Sequence, residues 1–290
     1  MRTLDKINFV IATYGRLLTG LFNFRLWPPF LIYLLALIVV IYAIFHMFSP
    51  LLAGWLIPII LHAPNNWFPL YAPVSYDQIL HYPQHLQSLP LVYQQFTLIS
   101  SLFLESILTA ASVFMFVAFF KRQRPSFGAA FREAKTYYPR ILLIWLVNVV
   151  LLVFLFRLLP GLFSGAVTLA PRRQIVLIIG MQALSTLISS LLIYAIPYLI
   201  LKNRTVWGSF AGSAAIFFRN LITTYILVGV PQLFLLLPII PLQVYSDDIV
   251  RKFNPAVILF LTLGLALFNV LASYFTTGST VRFFLEASEE

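Results

Sequence analysis

The chain contains no cysteine and very little charge. Of its 290 residues, 10% are Asp, Glu, Lys or Arg, and only nine are acidic. The lack of cysteine excludes disulfides, thiolate metal sites and a cysteine nucleophile. The lack of charge excludes a soluble domain of this length, because the polar side chains are too few to cover its surface. Hydrophobic residues make up 61% of the chain, which is typical of an integral membrane protein.

Six apolar runs are long enough to cross a bilayer, which requires about 20 mostly apolar residues. Together they use most of the chain, so we expect no sizeable soluble domain. The charged segment that precedes the first run lacks the apolar core and cleavage site of a signal peptide, so we expect it to remain on the protein. The predicted spans are 30–48, 96–120, 141–163, 174–201, 221–242 and 255–280.

The Lys and Arg residues are divided unequally between the two sides of the predicted membrane. If successive loops alternate sides, 14 of the 19 lie on the side of the N-terminus. The positive-inside rule then predicts that both termini are cytoplasmic. Basic residues beside membrane helices set topology and contact anionic lipid, so the net charge of +10 does not indicate nucleic acid. The remaining five are Arg157, Arg172, Arg173, Arg251 and Lys252.

A basic segment precedes an apolar run twice in nearly the same form. Arg122 and Arg124 match Lys202 and Arg204 at an offset of 80 residues, and the same offset pairs the dipeptides at 127–128 and 207–208. The N-terminus supplies a looser third copy, in which 27–30 corresponds to 138–141. We therefore predict one membrane domain, 1–290, built of repeats at about 1–120, 121–201 and 202–290.

Each repeat begins with an amphipathic segment. In the second copy, an apolar face with helical spacing lies opposite a polar face. We predict a helix on the cytoplasmic membrane surface in each repeat, with its apolar face at the headgroup boundary. The apolar face comprises Leu4, Ile7, Ile11, Tyr14, Leu18 and Leu21 in the first copy, Phe127, Ala130, Phe131, Ala134 and Tyr138 in the second, and Trp207, Phe210, Ala211, Ala214 and Phe218 in the third. The cations expected to contact lipid headgroups or a partner are Arg122, Arg124, Arg132, Lys135, Lys202 and Arg204.

The predicted fold is all-α, a polytopic membrane protein with six transmembrane helices. In each repeat, the interfacial helix is followed by a transmembrane hairpin, which returns the chain to its starting side. The three repeats are therefore expected to be parallel to one another.

Glu105 is the only acidic residue well inside a predicted span. The helical rise places it about 14 Å from the end of that span, near the middle of the membrane, where an ionised carboxylate costs at least about 2.5 kcal/mol. Two interpretations remain open: Glu105 serves a proton- or cation-coupled step, or it is a structural hydrogen-bonding group. Its expected polar neighbours are Asn148, Gln182, Gln232 and Asn269.

Proline adds one local expectation. Pro231 should kink the fifth span and free a backbone carbonyl near Gln232.

The sequence offers no catalytic or metal site. His81 and His85 are four residues apart, but Pro83 lies between them and no third ligand is evident. Ser164 stands in half of a hydrolase-like motif without the required strand-turn-helix context. Phosphate-binding and dinucleotide-binding motifs are missing. We expect a non-enzymatic protein without a cofactor.

One part of the chain carries a family resemblance. The run 196–200, followed by Lys202, Trp207, 213–215 and Arg219 before a new span, resembles the membrane domain of membrane-anchored glycerophosphodiester phosphodiesterases and the YciC-type bacterial inner-membrane proteins. In layout the resemblance covers nearly the whole chain. It implies a bacterial inner-membrane protein with a six-helix core and a role near phospholipid or envelope homeostasis. No phosphodiesterase domain follows the sixth span in this sequence, so we expect no hydrolytic activity.

Two functional hypotheses follow. The first is a non-enzymatic lipid-handling or envelope-homeostasis module, or an assembly partner of a membrane complex, which binds anionic phospholipids of the cytoplasmic leaflet. The alternative is a transporter or the permease subunit of an export machine, suggested by Glu105, Pro231 and the parallel repeats. In that case the helix 126–138 would be a coupling element for another membrane subunit or an ATPase.

Overall fold

The computed structural model describes residues 3–46, 49, 52–55, 85–162, 171–252 and 254–287. Within these ranges all regular structure is helical, which confirms the predicted all-α class. Most of the segment between the first two predicted spans, with His81, lies outside the described residues, as does Ser164. The elements are α1 (Thr3–Gly20), a 3-10 turn (Phe24–Leu26), α2 (Pro28–Phe45), α3 (His85–Ser100), a π turn (Ser101–Glu105), α4 (Ser106–Phe120), α5 (Phe127–Leu162), α6 (Pro171–Leu192), α7 (Ala195–Leu201), α8 (Val206–Arg219), α9 (Leu221–Leu233), α10 (Leu236–Val244), α11 (Ser246–Lys252) and α12 (Ala256–Ala287).

Several of these helices indicate a membrane protein. In the described part of the chain, five helical segments are long and apolar enough to cross a membrane, and the bent pair of α8 and α9 gives a sixth if it counts as one span. Large apolar side chains such as Leu35, Val150 and Phe260 are exposed on these helices, where a bilayer would cover them. The five are Pro28–Phe45, Phe96–Phe120, Phe127–Phe154, Pro171–Leu201 and Ala256–Ala287.

The second amphipathic segment is not a separate helix. α5 runs unbroken from Phe127 to Leu162, so the predicted boundary between an interfacial helix and the third span is wrong. Ala130 and Ala134 on its apolar face are buried within the protein, whereas Arg132 and Lys135 are exposed. Neighbouring helices therefore cover part of the face that the sequence assigned to the headgroup boundary, while Phe131 on the same face is exposed.

The third amphipathic segment does form a helix of its own. Thr205 precedes α8, and its side chain accepts a hydrogen bond of 3.1 Å from the backbone N–H of Gly208, which caps the helix. α8 ends at Arg219, and α9 leaves at an angle of 100°. The chain thus turns sharply at Asn220 between an amphipathic helix and an apolar one.

The fifth predicted span, 221–242, is interrupted, but not at Pro231, because α9 runs through Pro231 to Leu233 and α10 begins at Leu236. The backbone carbonyl that Pro231 frees is also not the expected one. Because proline has no N–H, the carbonyl four residues earlier, that of Leu227, lacks its helical donor. The Tyr14 hydroxyl donates to this carbonyl at 3.0 Å, and the Ser279 hydroxyl at 3.3 Å. Side chains from α1 and α12 thus replace the missing backbone bond.

α12 is the central helix, and α1 is bound to its C-terminal half. The Tyr274 hydroxyl of α12 donates to the Leu17 carbonyl of α1 at 3.3 Å, and the indole ring of Trp27, just before α2, stacks on Tyr274 with 5.5 Å between ring centroids. The Arg282 guanidinium donates to the carbonyl of Ala12 at 2.6 Å and lies 5.1 Å from the centre of the Phe9 ring. Helices from the two ends of the chain therefore meet at one end of the bundle.

Candidate intramembrane polar site

Glu105 occupies the last position of the π turn that links α3 to α4. A π turn contains one more residue than an α-helical turn and is frequent at functional sites. The carboxylate is hydrogen-bonded to the hydroxyl groups of Tyr33 and Ser273, which come from α2 and α12. The acid is therefore held between two helices that are distant in sequence.

Glu105 lines a cavity of about 160 Å³ inside the bundle. Nine further lining side chains carry a hydroxyl or amide group and come from five helices. Lys, Arg and His are not among the described residues that line it. The nine are Thr109, Asn148, Ser189, Gln232, Asn269, Ser273, Thr276, Thr277 and Thr280.

The structure brings together most of the polar residues that the sequence singled out. Asn148, Gln232 and Asn269 share the cavity with Glu105. Gln182 does not line it, but its side-chain amide is hydrogen-bonded to that of Gln232 at 3.2 Å. The predicted neighbours of Glu105 thus surround a common space rather than bonding to the carboxylate directly.

Four buried polar atoms in the cavity wall have no hydrogen-bond partner within the described ranges. They are Trp145 Nε1, Asn148 Oδ1, Thr276 Oγ1 and Thr280 Oγ1. Buried polar groups in folded proteins are almost always paired with protein or with water. A volume of 160 Å³ exceeds the roughly 10–15 Å³ that one water requires. The cavity therefore has the space to hold water or a small polar solute beside the hydroxyl and amide groups that line it.

α12 makes the largest polar contribution to this cavity, of which sequence reasoning named only Asn269. Its polar lining residues have the spacing i, i+4, i+7, i+8 and i+11, which places them on one face of a helix. The sequence shows this spacing. Single Ser and Thr residues in an apolar span, however, indicate a polar site less strongly than a carboxylate does. The residues are Asn269, Ser273, Thr276, Thr277 and Thr280.

The six predicted headgroup cations lie apart from this cavity, and all are exposed. Four of the six cations lie in the turns that follow α4 and α7, and each of these turns contains a residue with positive φ. Arg122 and Asn203, just after the ends of α4 and α7, are the described non-glycine residues with positive φ, at 57° and 47°. The Arg122 and Gln123 N–H groups bond to the carbonyls of Phe119 and Ala118 at 3.1 and 2.8 Å, which is the Schellman pattern of a helix end. The turns thus present cations at helix C-termini, where the helix dipole favours them.

The repeated segments differ in length at these turns. Six residues separate α4 from α5, and four separate α7 from α8. The ends of α4 and α7 are therefore 81 residues apart and the starts of α5 and α8 are 79 apart, rather than 80 in both cases.

A metal centre has no support among the described residues, since no group of three or more His, Cys, Asp or Glu side chains is close enough to hold an ion. In comparisons with known proteins, no family model, no curated protein and no solved structure matches the chain.

Proposed function

We propose that the protein is a membrane transport protein, or the membrane subunit of one, which binds a proton or small monovalent cation at Glu105. The observation that carries the proposal is the carboxylate in the wall of a polar cavity among apolar helices. A side chain with a purely structural role requires hydrogen-bond partners but no cavity beside it. Glu105 has two hydroxyl partners and also borders 160 Å³ of polar volume. Intramembrane acids with this setting mark ion or solute pathways.

The chemistry of the cavity fits a cation better than an anion. Its only ionisable lining group in the described chain is Glu105, and amide and hydroxyl oxygens are suitable ligands for a hard cation. Gln232 follows Pro231 near the end of α9, so one wall of the cavity is a helical turn that contains a proline.

The test is flux in vesicles that contain the purified protein and a pH-sensitive or sodium-sensitive dye. The wild-type protein should dissipate an imposed proton or sodium gradient, and Glu105→Gln should not. Glu133→Gln is the matched control, because Glu133 is exposed on α5 and does not line the cavity. Flux that survives Glu105→Gln would contradict the proposal, and gradients that persist with wild-type protein would exclude transport by this chain alone.

A second measurement covers the case in which flux requires a partner subunit. A hydrophobic carbodiimide should modify Glu105, and mass spectrometry would locate the adduct. Sodium or a rise in pH should protect Glu105, because both reduce the protonated carboxyl that reacts. If neither condition changes the labelling, Glu105 does not bind the cation.

We propose a lipid-handling role as the second candidate, favoured by the exposed apolar side chains of α1 and α8. Ile11 is 65% exposed, Trp207 78% and Phe218 70%. Helices with such faces and nearby cations lie at the membrane interface. Native mass spectrometry of the gently extracted protein should then find anionic phospholipid retained. Replacing Arg122, Arg124, Lys202 and Arg204 with Gln should reduce the retained lipid, whereas exchanging Lys and Arg at these positions should not.

The remaining proposals concern location and partners. We propose a non-enzymatic inner-membrane protein of bacterial type with both termini cytoplasmic, on the basis of the distribution of Lys and Arg. If an ATPase or another membrane subunit docks, α8 is the better coupling element, because the segment 127–138 is part of a continuous α5. A companion protein that co-purifies with wild type but is lost with Trp207→Glu would support such docking.

A further inference from the structure

A second cavity lies at the surface of the bundle, between residues 172–187 of α6 and the Leu221–Tyr225 side of α9. We call it the α6–α9 groove. Its volume is about 1000 Å³, at the upper end of the range for small-molecule pockets. Arg172 and Arg173 lie at one end, and the lining beyond them is apolar except for Tyr225.

Small residues create this groove. Gly180 lies midway along α6, and a Cβ built there would meet nothing within 4 Å. Ala183 lies close by, and its carbonyl accepts a hydrogen bond of 3.3 Å from the Tyr225 hydroxyl, which joins the two walls. Val176 in the lining is 69% exposed, so the groove is open along its side.

The length of the groove matches one leaflet of a bilayer. From Arg172 to Leu187, both of which line it, the α-helical rise gives about 22 Å. Half of a bilayer, including its headgroup region, measures roughly 20–22 Å. An acyl chain that lies along the apolar walls would therefore bring its headgroup to the level of the two arginines.

The charge of the groove selects the headgroup. Two neighbouring guanidinium groups can bind a phosphodiester through charge-assisted and bidentate hydrogen bonds. Acidic side chains are absent from the described lining, so none competes with a phosphate for Arg172 or Arg173. A zwitterionic headgroup would place its own cation near these arginines, which is unfavourable.

We propose that the α6–α9 groove binds one acidic phospholipid, with its phosphodiester on Arg172 and Arg173 and an acyl chain along Gly180 to Leu187. The site is separate from the Glu105 cavity, with which it shares no lining residue. It is also separate from the six cations at the turns and on α5. The proposal therefore does not depend on transport.

The experiment is a lipid titration of the delipidated full chain in detergent, followed by native mass spectrometry. The probes are phosphatidylglycerol and phosphatidylcholine with identical acyl chains. Wild-type protein should bind one phosphatidylglycerol about tenfold more tightly than phosphatidylcholine. The double variant Arg172→Gln, Arg173→Gln should lose this preference, because only the headgroup contact is removed.

Two further variants separate the acyl contact from general effects. Gly180→Leu fills the groove and should weaken both lipids by about tenfold or more. Gly264→Leu is its matched control, since a Cβ at Gly264 also meets nothing within 4 Å but lies on α12, outside the groove. Arg25→Gln with Arg140→Gln removes the same charge at two exposed positions outside the groove and should leave the tightest binding event unchanged.

Several results would overturn the proposal. One is an equal affinity for the two lipids in the wild-type protein. A second is an equal loss of the preference when Arg25 and Arg140 are replaced. A third is a wild-type dimer that dissociates with Gly180→Leu, because the groove would then hold a second copy of the chain. A fourth is tight binding of glycerol 3-phosphate alone, because acyl contact would then be unnecessary.

Discussion

The Tyr14 hydroxyl donates a hydrogen bond of 3.0 Å to the carbonyl oxygen of Leu227, the carbonyl from which Pro231 removes the helical donor. Burial raises the pKa of Tyr14, so the phenol keeps its proton and remains a donor. A residue of the first helix thus bonds a carbonyl, more than 200 positions later, that a proline leaves without its helical donor. The proline in α9 and the position of α1 are therefore one structural feature.

This relationship predicts a coupling between Tyr14 and Pro231. Tyr14→Phe should lower the free energy of unfolding by about 1 kcal/mol, the usual contribution of one hydrogen bond. In a Pro231→Ala background the new N–H can reach the Leu227 carbonyl, so the same substitution should cost less. Thermal unfolding of the four proteins of this double-mutant cycle measures the coupling. Tyr42→Phe, at an exposed tyrosine, should have no effect, and additive losses would argue against a shared carbonyl.

A second prediction concerns the close approach of α1 to α12 at Gly278. A Cβ at this position would overlap the Leu17 side chain and lie 3.0 Å from the Phe116 ring. Gly278→Ala should therefore destabilise the protein by about 1–3 kcal/mol through overpacking. On the same helix, Gly264→Ala meets nothing within 4 Å and should be neutral or stabilising by up to about 1 kcal/mol. Unfolding temperatures compare the two, and equal values would show that the helices separate easily.

The unpaired hydroxyl groups of the cavity give a third prediction. Thr280→Val removes a buried hydroxyl that has no partner in the described chain, so the substitution should not lower the unfolding temperature. Thr262 is the control on the same helix, because its buried hydroxyl donates to the Ile258 carbonyl at 2.7 Å. Thr262→Val should cost about 1 kcal/mol or less. A comparable loss for Thr280→Val would mean that this hydroxyl is bonded after all.

The fourth prediction tests the interfacial position of α8. Trp207 is exposed at the start of this amphipathic helix. With the other four tryptophans replaced by Phe, its fluorescence should be quenched more by lipids brominated near the headgroup than by lipids brominated deep in the acyl chain. Quenching by neither lipid would place α8 in water, and stronger quenching by the deep bromines would place it within the membrane core.

The sequence predicted those parts of the fold that depend on local composition. The long apolar runs and a backbone carbonyl freed by Pro231 follow from hydropathy and from the missing N–H of proline, and neither requires knowledge of the neighbouring helices. Asn148, Gln232 and Asn269 were expected near Glu105 because polar groups in an apolar span must find one another. Which of these side chains share a cavity depends on how each helix is rotated about its axis. That rotation cannot be read from a single sequence.

The apolar face at the start of α5 shows a different limit. Its spacing indicated an apolar side, and the structure has one, but Ala130 and Ala134 are buried by protein. In α8, by contrast, Trp207 and Phe218 are exposed. Lipid and a neighbouring helix present equally apolar surfaces, so amphipathicity reveals that a face is covered without revealing what covers it. The same ambiguity concealed the side of α1 that packs on α12 through Phe9 and Leu17.

The contacts of α1 also bear on biosynthesis. Its hydrogen bonds reach Leu227, and residues of α12 bond back to Leu17 and Ala12 across 257 and 270 positions of sequence. α1 is synthesised before α12, so these contacts cannot form until α12 has been inserted. Until then the side of α1 that packs on α12 lacks its partner, and long-range closure of this kind slows folding. The contacts between α1 and α12 thus form late in assembly, although α1 is made early.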